Sequence, residues 1–236
     1  MDPLCALGVG MAVHDRSRHR VDKLSVIGDS PITDSLSKRV GLMPVNKVAH
    51  RRDAKITSIV EAAWGLAREN GIQLVSLRDL AKEVGMRQPS LYAYFDSKNA
   101  LYDAMFADGN RQLLDVLSAI DVQADPRATL KAYLGAFADF AVEDPARNSL
   151  LFRRVIPGFE PTSESYAVAQ EALGRVVAVM NAAGVTDPGD IDCLVAMTAG
   201  LIEAQLSNEP GGDRWLRHLD RMTDLLVDDA TERNHR

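Results

Sequence analysis

Apolar residues at Ile56, Ile59, Val60, Ala63 and Ala67 recur at the spacing of one helix face, which predicts an amphipathic helix running from Asp53 and ended by Gly71. A shorter stripe follows at Leu77, Leu80, Ala81 and Val84. Ser76 stands in front of it as a cap, with Asp79 at the capping-box position, and Gly85 breaks it. After a tight turn, Pro89 suits the first turn of another short helix, whose apolar side is Leu91, Tyr92 and Phe95. Asp96-Ser97 then opens a longer helix through Leu101, Met105, Leu113 and Leu117.

Beyond Pro126 the periodicity predicts helices over 126–143, 146–155, 162–183, 188–207 and 213–229, punctuated by Pro145, the PGFEP stretch at 157–161, Asp187-Pro188 and Pro210-Gly211-Gly212. No alternating strand pattern and no internal repeat occurs. The expected fold is all-α, with about nine helices arranged as a three-helix head and a helical body. Residues 1–46 lack a sustained apolar period and carry Gly8, Gly10, Gly28, Pro31, Gly41 and Pro44, which predicts a mostly disordered arm and makes Met43 an alternative first residue. The expected organisation is an arm over 1–46, a helix-turn-helix head over 47–98, and an effector-binding and dimerisation body over 99–236.

Charge sharpens this division. The 236 residues carry 27 Lys/Arg against 33 Asp/Glu, so the chain as a whole is mildly acidic and a uniformly basic coat for nucleic acid is excluded. Residues 47–98 nevertheless hold nine basic against six acidic side chains, net +3, whereas 99–236 hold twelve against twenty-two, net -10. A basic module attached to an acidic one is expected where only the first meets a polyanion.

Two short helices joined by a glycine turn, the second opening with outward polar residues, are what a helix-turn-helix DNA reader requires. Arg87, Gln88, Pro89 and Ser90 open that second helix. A carboxamide reads adenine in the major groove, and an apolar ring can press on a thymine methyl. The run SLRDLAKEVGMRQPSLYAYFDSKNALYDAM at 76–105 resembles the DNA-binding head of the tetracycline-repressor (TetR) family. That resemblance implies Arg78, Gln88 and Pro89 as base readers and Ser90, Tyr92, Tyr94 and Lys98 as phosphate contacts. It departs from the family's usual pattern at Ala93 and at Tyr94, which bears on the operator sequence. Phe95 is expected in the core, and Tyr92 with its ring inward and its hydroxyl on phosphate.

The resemblance also implies a body that binds a small hydrophobic effector and pairs with a second copy. Expected pocket residues are Tyr133, Phe137, Phe140, Phe152, Ile156, Phe159, Tyr166, Met180 and Met197, each of which ordinary core packing would equally explain. Arg153-Arg154 could draw an anionic group, with a surface ion pair as the simpler fate. The apolar residues of 213–229 form a stripe too wide for one neighbour, and with 191–207 they resemble the helices of a four-helix dimer interface, a purely intramolecular core being the alternative; the expected dimer contacts are Leu194, Leu201, Trp215, Leu219, Met222 and Leu226.

The sequence offers no GxSxG elbow, Walker loop or HExxH, and its five histidines are scattered, His218 being a surface or rim residue rather than a general base. Two cysteines, Cys5 and Cys193, with no CxxC, suggest a reducing cytoplasm with no structural metal or cofactor. Apolar runs such as 176–180 fall short of the ~20 residues of a membrane span. The first twenty residues place an apolar stretch before the basic ones, the reverse of a secretory signal. The expectation is a cytoplasmic, dimeric, effector-released repressor of a palindromic double-stranded operator, without enzymatic activity and without membrane. The rival is a helical small-molecule carrier or enzyme whose head is vestigial or binds protein. A polypeptide beginning at Met43 is expected to keep the full chain's melting temperature; a large loss would show that the arm packs on the rest.

Overall fold

The computed structural model describes residues 47–234; the expected arm over 1–46, with Met43, lies outside the described residues. Nine α-helices occur among the described residues, without a strand: α1 (Lys47–Asn70), α2 (Leu77–Glu83), α3 (Gln88–Tyr92), α4 (Lys98–Ser118), α5 (Pro126–Glu143), α6 (Pro145–Phe152), α7 (Ser163–Ala182), α8 (Pro188–Asn208) and α9 (Leu219–Asn234). Short 3-10 turns at Ile72–Leu74 and Leu216–His218 precede α2 and α9. The all-α expectation holds.

Local chemistry fixes most helix starts. The side chains of Ser76, Ser97, Asp125, Asp144, Thr162 and Asp187 each accept a backbone N–H of the first turn. Pro126, Pro145 and Pro188 occupy first-turn positions where their missing N–H leaves no hydrogen bond unmade. Several ends differ from the sequence reading: α1 begins at Lys47 rather than Asp53, and α9 runs to Asn234 rather than to 229. The helix expected over 146–155 stops at Phe152, because Arg153 turns to extended backbone at φ -129 and ψ 131. The helix expected from 213 starts only at Leu219. Buried Gln205 explains this: its Oε1 accepts the N–H of Trp215 at 2.9 Å and of Leu216 at 3.4 Å, holding that stretch in a turn.

Burial forms two contiguous apolar cores. One joins the head to the near half of the body, packing Ile59, Trp64, Leu80, Leu91 and Phe95 with Tyr102, Phe106 and Leu151. The other lies among α5, α7, α8 and α9, around Leu130, Met180, Leu194 and Val227. Helix α4 packs on α1, α5, α6 and α7 together. Its approach to α6 depends on Gly109, where an added Cβ would stand 3.0 Å from Leu151 Cδ1.

A polar relay crosses this packing. Trp64 Nε1 donates to Asp108 Oδ2 at 2.9 Å, and Gln112 Nε2 donates to the same oxygen at 2.7 Å. Buried Arg147 then donates from Nη1 to Gln112 Oε1 at 2.8 Å, and from Nη2 to the Phe140 carbonyl at 2.8 Å and Glu143 at 3.0 Å. Its guanidinium lies 3.6 Å from the Phe140 ring centroid. Arg68 of α1 meets Asp144, the α6 cap, at 3.1 Å. Arg147→Met would strip the donors from two acceptors inside the fold, each worth about 1–3 kcal/mol when left unsatisfied. The expected result is a clear fall in the denaturation midpoint; an unchanged midpoint would remove the relay from the fold's support.

Candidate nucleic-acid interface and effector cavity

The turn between α2 and α3 is built by its glycine. Gly85 sits at φ 67, its N–H donating to the Lys82 carbonyl at 3.1 Å while Met86 N–H reaches Ala81 at 2.8 Å, the paired bonds of a Schellman stop. At the other end of α2, Ser76 Oγ accepts the Asp79 N–H at 3.1 Å and its hydroxyl lies 2.6 Å from Asp79 Oδ2. That hydroxyl, with Lys82 behind it, holds the Asp79 carboxyl below its ordinary range.

Leu91 and Phe95 are buried, so the opposite side of α3 faces outward. Gln88, Pro89 and Ser90 are exposed there, as is Arg78 on α2, and the side chains of Arg78, Gln88 and Ser90 have no partner among the described residues. Tyr92 is 46% exposed, so its ring is not on the core side as the stripe suggested: with Leu91 pointing in, its immediate successor on a five-residue helix points away. Tyr94 is half-buried under Arg52, whose guanidinium stands 5.1 Å from the ring centroid and donates to the Ala93 carbonyl at 3.0 Å. Lys98 is tied more closely than its sequence context showed. Its Nζ donates to the Gln73 carbonyl at 2.9 Å and lies 5.2 Å from the Tyr102 ring centroid, while Gln73 Nε2 donates to the Val155 carbonyl at 2.9 Å.

In the body, a cavity of about 440 Å³ opens among α4, α5, α6, α7 and α8. Phe137, Phe152 and Met180 line it, with Phe137 and Phe152 edge to face at 5.2 Å. The other expected pocket residues do not. Phe140 is held beneath Arg147, Phe159 packs its ring on Tyr102 and Phe106, and Tyr133 and Tyr166 are buried away from the cavity wall. Ile156 and Met197 are half-buried, also off the wall. Sequence reasoning missed the α8 wall, Val195, Thr198, Ala199, Ile202 and Glu203, and the carboxamides Asn110 and Asn148. The signal was present: 195, 198, 199 and 202 follow helical spacing, and an asparagine interrupts the apolar stripe of α4. Arg153 pairs with Glu203 at 3.3 Å, both half-exposed, where the cavity meets solvent.

The expected dimer residues separate into two groups. Leu194 and Leu219 are buried in their own chain's core, 1% and 5% exposed, where α5, α8 and α9 pack on one another. Leu201, Trp215, Met222 and Leu226 are half-buried, and Leu225 beside them is 56% exposed. None of the described helices is long and apolar enough to cross a membrane.

Residues 59–105 match the family model described as bacterial regulatory proteins, tetR family. The HTH-type transcriptional regulator Rv1816 of Mycobacterium tuberculosis is 30% identical over 152 residues, a match covering 61% of this chain and 64% of that protein. Among solved structures, the TetR family transcriptional regulator PfmR from Thermus thermophilus aligns at 20% identity with a TM-score of 0.54, over 72% of this chain and 97% of that one. BioQ, solved with its double-stranded DNA operator, aligns at 20% identity with a TM-score of 0.52, over 75% and 98%. The helix-turn-helix geometry, the matched residues 59–105 and the shared all-helical fold agree: the chain is similar to the tetR family of bacterial transcriptional regulators.

Proposed function

We propose that the protein is a cytoplasmic, homodimeric repressor that binds a palindromic DNA operator through α3 and is released by a small hydrophobic effector taken into the body. The observation that carries this reading is the juxtaposition of two features on one rod. Helix α4 begins at Lys98, directly after the helix-turn-helix, and twelve residues on presents Asn110 to the cavity. An effector alters DNA affinity only by binding one geometry of the heads better than the other, so pocket and head must share a stiff element. Residues 47–98 serve as the DNA-binding unit and the remainder as the effector and dimerisation unit.

In this reading Arg78, Gln88 and Pro89 contact base edges, and Ser90, Tyr92, Tyr94 and Lys98 hold phosphates. Gln88 supplies a bidentate carboxamide at the start of a helix that nothing in the described chain covers. Tyr92 presents its hydroxyl outward, as a phosphate contact needs. BioQ, with the same fold, was captured on operator DNA, which supports the head's role here by analogy. Pairing falls to the free face of α8 and α9, with Leu201, Trp215, Met222, Leu225 and Leu226 in place of the buried Leu194 and Leu219. The deficit of convergent titratable side chains in the cavity, where only Arg153 and Glu203 ionise and they pair, favours binding over turnover.

A genome-wide footprint of the purified protein tests the whole reading. Inverted repeats with half-sites about one helical turn apart, or a multiple of it, are expected; sequence-independent binding would overturn it. Gln88→Ala should cost ~1–3 kcal/mol and relax preference at one position of each half-site, whereas Tyr92→Phe should weaken all sequences alike. The reverse pattern would refute the assignment of α3. Met222→Glu combined with Leu225→Glu should give a folded monomer by sedimentation that has lost specific binding; tight operator binding by that monomer would end the dimer claim.

A further inference from the structure

The cavity walls are chemically unequal. Leu134, Phe137, Met180 and Ile202 form an apolar lining, while Asn110 on α4 and Asn148 on α6 bring two carboxamides into it at 3% and 5% exposure. Asn110 donates one N–H to the Phe106 carbonyl at 2.9 Å, which leaves its Oδ1 unused. Asn148 makes no side-chain hydrogen bond to any described residue. Its backbone N–H completes the first turn of α6 on Asp144, but its amide oxygen and both amide hydrogens are unmatched in a site nearly closed to solvent. Buried polar groups are ordinarily satisfied, so a carboxamide with no protein partner that lines a cavity points to what the cavity holds.

The charges narrow the answer. Arg153 and Glu203 are the only ionisable residues in the wall, and they neutralise each other at 3.3 Å. A carboxylate or ammonium head carried inward would lose its hydration and meet two neutral amides with no free countercharge. A neutral head that both donates and accepts can match Asn148 and the vacant Oδ1 of Asn110 together, with its tail against the apolar wall.

Resting on the reading of this cavity as the effector site, we infer that its ligand is an uncharged amphipathic molecule with an amide or alcohol head recognised by Asn148 and Asn110, and is not a fatty-acid anion or an amine. Asn148 and Asn110 stand one and two residues along the chain from Arg147 and Gln112, members of the relay that runs to Trp64 of the DNA-binding unit, although neither of those two lines the cavity. Ligand occupancy is thereby placed within one or two residues of the bonds that join body to head.

Calorimetry of the full chain at neutral pH with octanamide, 1-octanol, octanoate and octylammonium tests this. Octanamide and octanol are expected to bind on the order of tenfold more tightly than either ion, the scale of one hydrogen bond kept or lost in a buried site. Asn148→Leu should remove the preference, leaving octanamide and octanoate alike. The head-group series on the unsubstituted chain decides the matter even where that variant misfolds. Equal affinities, or tighter octanoate binding that Arg153→Gln abolishes, would overturn the inference. No binding by any of the four would overturn it together with the cavity's role as effector site. Preferential octanamide binding that leaves operator affinity untouched would uphold the ligand class and refute the release mechanism alone.

Discussion

Arg147 is a cation carried into the interior, and the arrangement of the body depends on how that charge is satisfied. A buried guanidinium is tolerable only where donors find acceptors and the charge finds a polarisable face. Gln112, the Phe140 carbonyl and Glu143 provide the first for Nη1 and Nη2, Nε being left without an acceptor, and the Phe140 ring provides the second. Meeting these demands fixes α6 against α5 and α4 at one register. The same bonds present Gln112 to Asp108, and Asp108 to the indole of Trp64 in the head. Trp64, Asp108, Gln112 and Arg147 thus form one connected set of side-chain hydrogen bonds from the head to α6.

Two mechanical connections between head and body follow. One is α4 itself, with Tyr102 donating from its hydroxyl to the Ile72 carbonyl at 2.9 Å and Gly109 allowing close contact with Leu151. The other runs along the surface. Phe152 and Arg153 of the cavity wall lead to Val155, whose carbonyl accepts Gln73, whose carbonyl in turn accepts Lys98. Both routes meet near the start of α4, which follows α3 directly in the chain. Contacts therefore join the cavity wall to the start of α4 both inside the fold and along its surface.

The head was legible because its signals are local. Ser76, Gly85, Pro89 and Ser97 act on their own turns, and their caps and stops stand where spacing placed them. The 126–143 helix was legible for the same reason, with Asp125 and Pro126 at its start. What spacing could not show were events decided by distant partners. Arg153 leaves helical geometry beside a salt bridge to Glu203, fifty residues on. Leu194 and Leu219 are apolar on helices rich in apolar residues, and a stripe does not say whether its own chain or a second one covers it. The pocket aromatics were misplaced likewise: Phe140 and Phe159 have the right chemistry for a cavity, but Arg147 and the Tyr102–Phe106 pair claim them first. Trp64 and Asp108, 44 residues apart, carry no local mark of their bond.

The charge asymmetry acquires a mechanical sense from this geometry. A body of net -10 is repelled by the phosphate backbone, while a head segment of net +3 is drawn to it, so approach to DNA is oriented before any base is touched. The acidic surplus is partly organised along α9, where Asp224 and Asp228 take Arg127 and Lys131 of α5. These pairs lie far along the chain from the reading helix and are individually weak at the surface. Their effect is to commit two of the body's cations to its own acidic helix, while Arg52, Arg78, Arg87 and the tethered Lys98 stand around α3. Net positive charge thus belongs to the helix-turn-helix segment, while the cavity wall in the body carries one mutually neutralised ion pair.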